Sequence, residues 1–200
     1  MRYLRKTVFI LLVLAPLVPA YAAQAADNTN WKRLYIDYIN DNPPDEPDRS
    51  SYSLIHIDDD DVPELWINYG RAFEGNDLCY VSDGELEILN FSQYGLSYIE
   101  RQNLFITSGG RQDSFSDSVY HIQNGKFEQL HEGNYGVEDN TNVPLDAEGL
   151  AIYRYWWDGK EVSEKEYNQE LSSVFDASKA ADPDEISCGA NEIISKIMDF

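Results

Sequence analysis

The sequence predicts an α+β domain with an N-terminal helix, an antiparallel β-meander sheet of about eight or nine strands, and two C-terminal helices. Three observations carry this. Short apolar, β-prone segments follow one another between residues 52 and 131 on tight connections, and connections this local join antiparallel strands, because a parallel pair needs a long crossover. Asp83-Gly84 and Asn124-Gly125 are hairpin turns in which both residues tolerate positive φ. Apolar residues recur at helical spacing only near the two ends.

In order, residues 1–22 read as a signal peptide. Arg2, Arg5 and Lys6 precede an apolar run over 8–18, too short for a membrane span. Small-residue patterns place cleavage after Ala22 or Ala25, leaving 26–200 as a single acidic domain. Trp31, Leu34, Tyr35 and Tyr38 mark a helix over about 31–39. Pro43, Pro44 and Pro47 keep 40–50 as a loop. A hairpin over 52–69 follows, then strands at 78–81, 86–91, 96–101, 104–107, 116–122 and 127–131, with Gly109-Gly110 read as a chain break. Residues 134–150 form a polar loop with few apolar anchors, and 152–157 is a further strand ending at Asp158-Gly159. Ser163 and Glu166 form a capping box opening a helix to about residue 174. A last helix is expected from Asp182, with Pro183 at its first position and Ile186, Ala190, Ile193, Ile194 and Ile197 on one apolar face.

The charge limits the partners. Losing the three basic residues of the leader takes the formal charge from −21 to −24. Such a field repels nucleic acid and anionic lipid and favours cations or a basic protein. The two cysteines, Cys79 and Cys188, allow one intramolecular disulfide in an exported chain. Closing that loop is worth roughly 4 to 5 kcal/mol in the chain-entropy account; two buried thiols are the alternative. No C-x-x-C, H-E-x-x-H, G-x-S-x-G, P-loop or G-x-G-x-x-G pattern occurs. His56, His121 and His131 are scattered, the last two on strands expected to pair.

The densest set of potential ligands is in the first hairpin, IHIDDDDVPELWI. Asp58, Asp59, Asp60 and Asp61 alternate so that two side chains can converge, and Glu64 can reach back with both oxygens, as hard divalent cations require. A solvated acidic turn is the alternative, since water and salt screen the repulsion.

This loop resembles that of a group of exported bacterial proteins in which an apolar strand, a run of Asp or Asp-Gly, Ile/Val-Pro-Glu-Leu and a second strand succeed one another. Their loop is similar to the calcium loops of dockerin-like and FG-GAP-like repeats. The resemblance also touches 31–40 and 157–168. It implies a calcium-type loop on Asp58, Asp60 and Glu64, with Asp61 alongside, and no known enzymatic activity. The chain departs from the pattern at His56, where a first aspartate would stand, and at Asp61, where the turn glycine would stand. The affinity implied is of order 10⁻⁴ to 10⁻³ M.

Tyr153, Tyr155 and Trp157 alternate with Trp156, so the three share one face, which can stack on a sugar or on a protein partner. The expected function is an exported, non-enzymatic binding domain with a weak structural calcium site at 58–64. The alternatives are an acidic inhibitor or immunity-type protein that captures a basic secreted protein, and a carboxylate-based hydrolase.

Overall fold

The computed structural model describes residues 30–71, 75–91, 94–123, 125–139 and 141–200. The expected signal peptide and its cleavage sites lie outside them, as does Asn124. No described helix is long and apolar enough to cross a membrane.

Helix α1, Asn30–Asp41, opens the described chain, and β1 (Ser51–Ile55), β2 (Glu64–Asn68), β3 (Asn76–Ser82) and β4 (Glu85–Phe91) follow. Next come β5 (Tyr94–Ile99), β6 (Leu104–Arg111), β7 (Ser114–Gln123), β8 (Lys126–Gly136), β9 (Arg154–Trp157) and β10 (Lys160–Val162). Helix α2 spans Glu164–Val174 and α3 spans Ala190–Asp199, with 3-10 turns at Ala177–Lys179 and Pro183–Ile186 between them.

The α+β class, the N-terminal helix and the two C-terminal helices agree with expectation. The single sheet does not. Two antiparallel sheets form, β1-β2-β3-β4 and β10-β9-β8-β7-β6-β5. The reason lies in β2, where Leu65, Trp66 and Ile67 are all buried. A strand apolar on both faces needs a layer on each side. Leu65 and Ile67 join Trp31, Tyr35, Ile39, Tyr52, Cys79, Ile193 and Ile197 under α1 and α3. Trp66 joins Ile55, Ile57, Leu78 and Phe91 against Leu96, Tyr98 and Phe105 of the second sheet. The far face of that sheet, with Ile99, Ile106 and Val119, is covered by Phe175, Leu171 and Val174 at the end of α2. The layers therefore run helices, sheet, sheet, helix.

Among the described residues ten strands replace the eight or nine expected. Gly109-Gly110 does not break the chain; β6 runs through it to Arg111 and turns at Gln112 and Asp113, both at positive φ. The short β10 pairs with β9 across Asp158 (φ 48°) and Gly159 (φ 76°). The hairpin register sets His121 opposite Glu128, and a shift between Val119 and Tyr120 sets His131 opposite Val119, so the two histidines are not partners.

Ser163 and Glu166 complete the expected capping box. The last helix does not begin at Asp182. Asp182 caps only the 3-10 turn at Pro183–Ile186, and the α-helix waits until Ala190. Between them Cys188 exchanges both backbone hydrogen bonds with Tyr52 on the outer edge of β1, while Ala181 does the same with Tyr98 on β5. Covering two open strand edges satisfies more backbone than one added helical turn, and it leaves Ile186 on the surface.

Candidate functional site

The acidic loop joins β1 to β2. Asp58 Oδ1 accepts the Asp60 amide at 3.1 Å, and Asp60 Oδ1 accepts the Val62 amide at 2.7 Å, so both side chains brace the turn they stand on. Glu64 is only 4% exposed. Its Oε2 accepts the Ile57 amide at 2.8 Å, closing the loop at its base. The Arg101 guanidinium donates to the Asp60 carbonyl at 3.1 Å. The Arg101 and Asn103 amides donate to the carbonyls of His56 and Ile57. The Tyr35 hydroxyl reaches the Pro63 carbonyl at 2.8 Å from below. The loop is thus pinned to α1 on one side and to the β5–β6 turn on the other.

Burial pushes the Glu64 carboxyl up to about 8, with repulsion from Asp58 and Asp60 adding to it against the Ile57 hydrogen bond. Loss of water likewise pushes Asp60 up to about 6, with Asp58 and Asp61 adding and the Val62 amide opposing. Near neutral pH Glu64 therefore carries a proton and faces inward. Calcium would need several charged oxygens converging on one point, with Glu64 giving up its proton to the ion and Asp58 and Asp60 turning from the amides they accept. Among the described residues no three Asp, Glu, His or Cys side chains gather to hold a metal. Asp61 and Asp59 are exposed.

Cys79 and Cys188 are free thiols. Cys188 lies against the outer edge of β1, and Cys79 lies on β3, beyond β1 and β2. Strands sit about 4.8 Å apart, so about 14 Å separates Cys188 from β3, while a disulfide spans at most about 7 Å between Cα atoms.

The aromatic strand is divided. Trp157 is buried, stacked on His131 (5.6 Å between ring centroids) and met edge-on by Tyr167 of α2 (5.6 Å). It therefore belongs to the core instead of the expected surface, because the β9–β10 hairpin delivers α2 directly onto it. Gly133, paired with Trp157, makes room: a side chain there would collide with the Tyr167 ring. Tyr155 and Tyr153 are half-buried. Tyr155 stacks on Tyr135 (5.5 Å), which stacks on Phe115 (4.9 Å), forming a ladder across β9, β8 and β7. The Tyr153 hydroxyl donates to Asp113 at 2.8 Å, and the Tyr167 hydroxyl donates to Asp117 at 2.7 Å. Trp156 points to the other face, under the Arg154 guanidinium.

Sequence reasoning missed what adjoins this ladder. The segment before Tyr153 folds into its own small hairpin. Leu145 bridges to Ala151, the Ile152 amide donates to the Pro144 carbonyl, and Asp146 Oδ1 accepts the amides of Glu148 and Leu150. Leu145, Leu150 and Ile152 stand on it 58%, 65% and 49% exposed. The alternation of apolar residues with Asp146 and Gly149 was the available signal, hidden by the polar composition around it.

A second polar feature also went unseen. Asp77 is buried on β3, accepting from the hydroxyls of Tyr38 and Tyr69 and from Asn90 Nδ2, each at 2.7 Å. These groups floor a cavity of about 500 Å³ whose mouth holds Asp41 and Asp45. His131 Nδ1 lies 2.9 Å from Asp158 Oδ2, a pair that fastens the β9–β10 turn to β8. Comparison with known protein families, with curated proteins and with solved structures finds no match for the chain.

Proposed function

We propose that the chain is an exported domain that acts by non-covalent binding of another protein, through the surface formed by the hairpin at 144–152 and the adjoining Tyr153, Tyr155 and Tyr135. The observation that carries this is the exposure of Leu145, Leu150 and Ile152 on a hairpin held rigid by its own hydrogen bonds. Ordered aliphatic side chains kept in water cost solubility without contributing to this domain's core, and three of them on one short hairpin favour an interaction site. Half-exposed tyrosines beside them supply rigid, amphipathic contact area.

The rim indicates the partner's character. Asp139, Asp146 and Glu148 lie within 139–153, which contains no Lys or Arg, while Glu138 is matched by Arg154 at 2.7 Å. Together with the overall negative charge this favours a basic protein, attracted by its field and then held by apolar contact. An inhibitor or immunity-type protein is the narrower form of the same reading, with a basic secreted enzyme as partner. The kinship with exported acidic-loop proteins belongs to the proposal and is supported by the strand–loop–strand build of β1, the loop and β2.

The test is affinity capture from the producing organism's secreted proteins, with wild type and Leu145→Ser/Leu150→Ser as paired baits. Basic proteins should be retained by wild type at low salt, lost at about 0.5 M salt where the screening length falls to a few ångströms, and not retained by the double variant. Equal capture by both baits would exclude the hairpin as the binding surface.

A further inference from the structure

We infer that the cleft between α2 and strands β5–β6 is a separate binding site for a small amphipathic cation, a protonated amine with a hydrocarbon body. This does not depend on the protein-binding surface proposed above.

The cleft follows from how α2 sits on the sheet. Its first half is pressed onto β8 and β9 by Tyr167, which packs on Gly133 and Trp157. Its last turn lies over β5 and β6, where Ser97 and Ser108 stand beside Ile99 and Ile106 on the helix-facing side. Small side chains under a helix end leave space, and here the space is a cavity of about 650 Å³. That volume falls within the range of small-molecule sites, about 300–1,000 Å³. Ile106, Leu171 and Phe175 give it an apolar lining, and Ser108 adds a hydroxyl. A hydrocarbon body replaces poorly bonded water against these three side chains.

The charge at the rim selects the head group. Among the described residues no Lys, Arg or His lines the cleft. Three carboxylates do, and they are not equivalent. Asp176 is already matched by Lys179 at 3.0 Å and caps Ser178. Asp182 Oδ1 is occupied by the Asp184 amide at 2.9 Å. Glu185 has no hydrogen bond or counter-ion for its carboxylate among the described residues, yet it stands at the rim beside Asp182. An anion entering would meet uncompensated negative charge, whereas an ammonium group would find Glu185 free to accept from it.

The experiment titrates the purified full-length domain with hexylamine at pH 7 and low salt, followed by ligand-observed NMR, with methylamine and hexanoate in parallel. Hexylamine should bind in the millimolar range, at least tenfold tighter than methylamine, and hexanoate should not bind. Glu185→Gln, an exposed substitution, should weaken hexylamine three- to fivefold, as for loss of one exposed ion pair. Ser108→Phe, checked for folding by circular dichroism, should fill the cleft and abolish binding. Absence of hexylamine binding to wild type, equal binding of hexanoate, or unchanged hexylamine affinity in Glu185→Gln would each overturn the assignment; these readings decide the matter even where Ser108→Phe does not fold.

Discussion

Glu64→Gln should make the protein more stable at alkaline pH and flatten its pH dependence. The buried Glu64 carboxyl is raised from an ordinary value of 4.5 to about 8. The folded state thus holds its proton where the unfolded chain has already lost it. Its favourable contribution is complete below about pH 4.5 and is lost progressively as pH rises through 8. Each pH unit in that window removes about 1.4 kcal/mol, so the wild type forfeits about 4 kcal/mol between pH 5 and pH 8. Glutamine keeps an oxygen for the Ile57 amide and an N–H₂ where the proton was, and it does not titrate. Urea unfolding of both proteins at pH 5, 6, 7, 8 and 9 measures the difference. The two should agree within about 1 kcal/mol at pH 5, and the variant should lead by about 4 kcal/mol at pH 8. Asp60, raised to about 6, and the general negative charge slope the same way in both proteins, so only the difference between them reports Glu64. Repeating the pH 8 pair with 5 mM calcium separates the alternative: a metal ligand would be ionised by the ion, so calcium would stabilise the wild type and not the variant. Parallel profiles, or such a calcium effect, would refute the buried neutral Glu64.

Two more outcomes follow from packing. In denaturant the purified domain should titrate two thiols per chain with a thiol reagent, because about three strand spacings separate Cys79 from Cys188; a value near zero would mean that they are bridged and that the edge pairing of Cys188 with Tyr52 is wrong. Gly133→Ala should cost about 1–3 kcal/mol, since the added methyl meets the Tyr167 ring and α2 must shift off the sheet. Thermal melts check it, and an unchanged midpoint would mean that α2 does not rest on Gly133.

Much of the fold was legible because it depends on local signals. The Asp83-Gly84 turn and the Ser163–Glu166 capping box are each decided within a few residues. The split into two sheets was not, since the same run of apolar residues in β2 fits a strand with one layer above it or with two. The C-terminal helix failed for a related reason. Asp182 and Pro183 are good helix-start residues and do start a helical turn, but the open edges of β1 and β5 compete for the backbone of Ala181 and Cys188, and nothing near residue 182 announces those edges.

The candidate sites show a sharper version of this limit. Asp58, Asp60 and Glu64 at their spacing can converge on a cation or can tie a turn to itself, and the residue types do not choose between these. The placement of Glu64 narrows the choice. It begins a strand buried on both faces, so its side chain must enter the protein interior, where a lone charge is costly. Such a carboxyl either takes a metal inward with it or keeps its proton. The Ile57 amide at 2.8 Å satisfies one oxygen, and in the absence of an ion burial favours the proton; the calcium arm of the pH 8 measurement decides between the two. The aromatic strand follows the same logic in reverse: Tyr153, Tyr155 and Trp157 alternate correctly, but which of them meets water was fixed by where the β9–β10 hairpin sets down α2. Trp157 lies beneath Tyr167, while Tyr153 lies beyond the helix and next to the aliphatic hairpin. The exposed end of the strand and the hairpin that carries the exposed Leu145, Leu150 and Ile152 are therefore consecutive in the chain and lie outside the cover of α2.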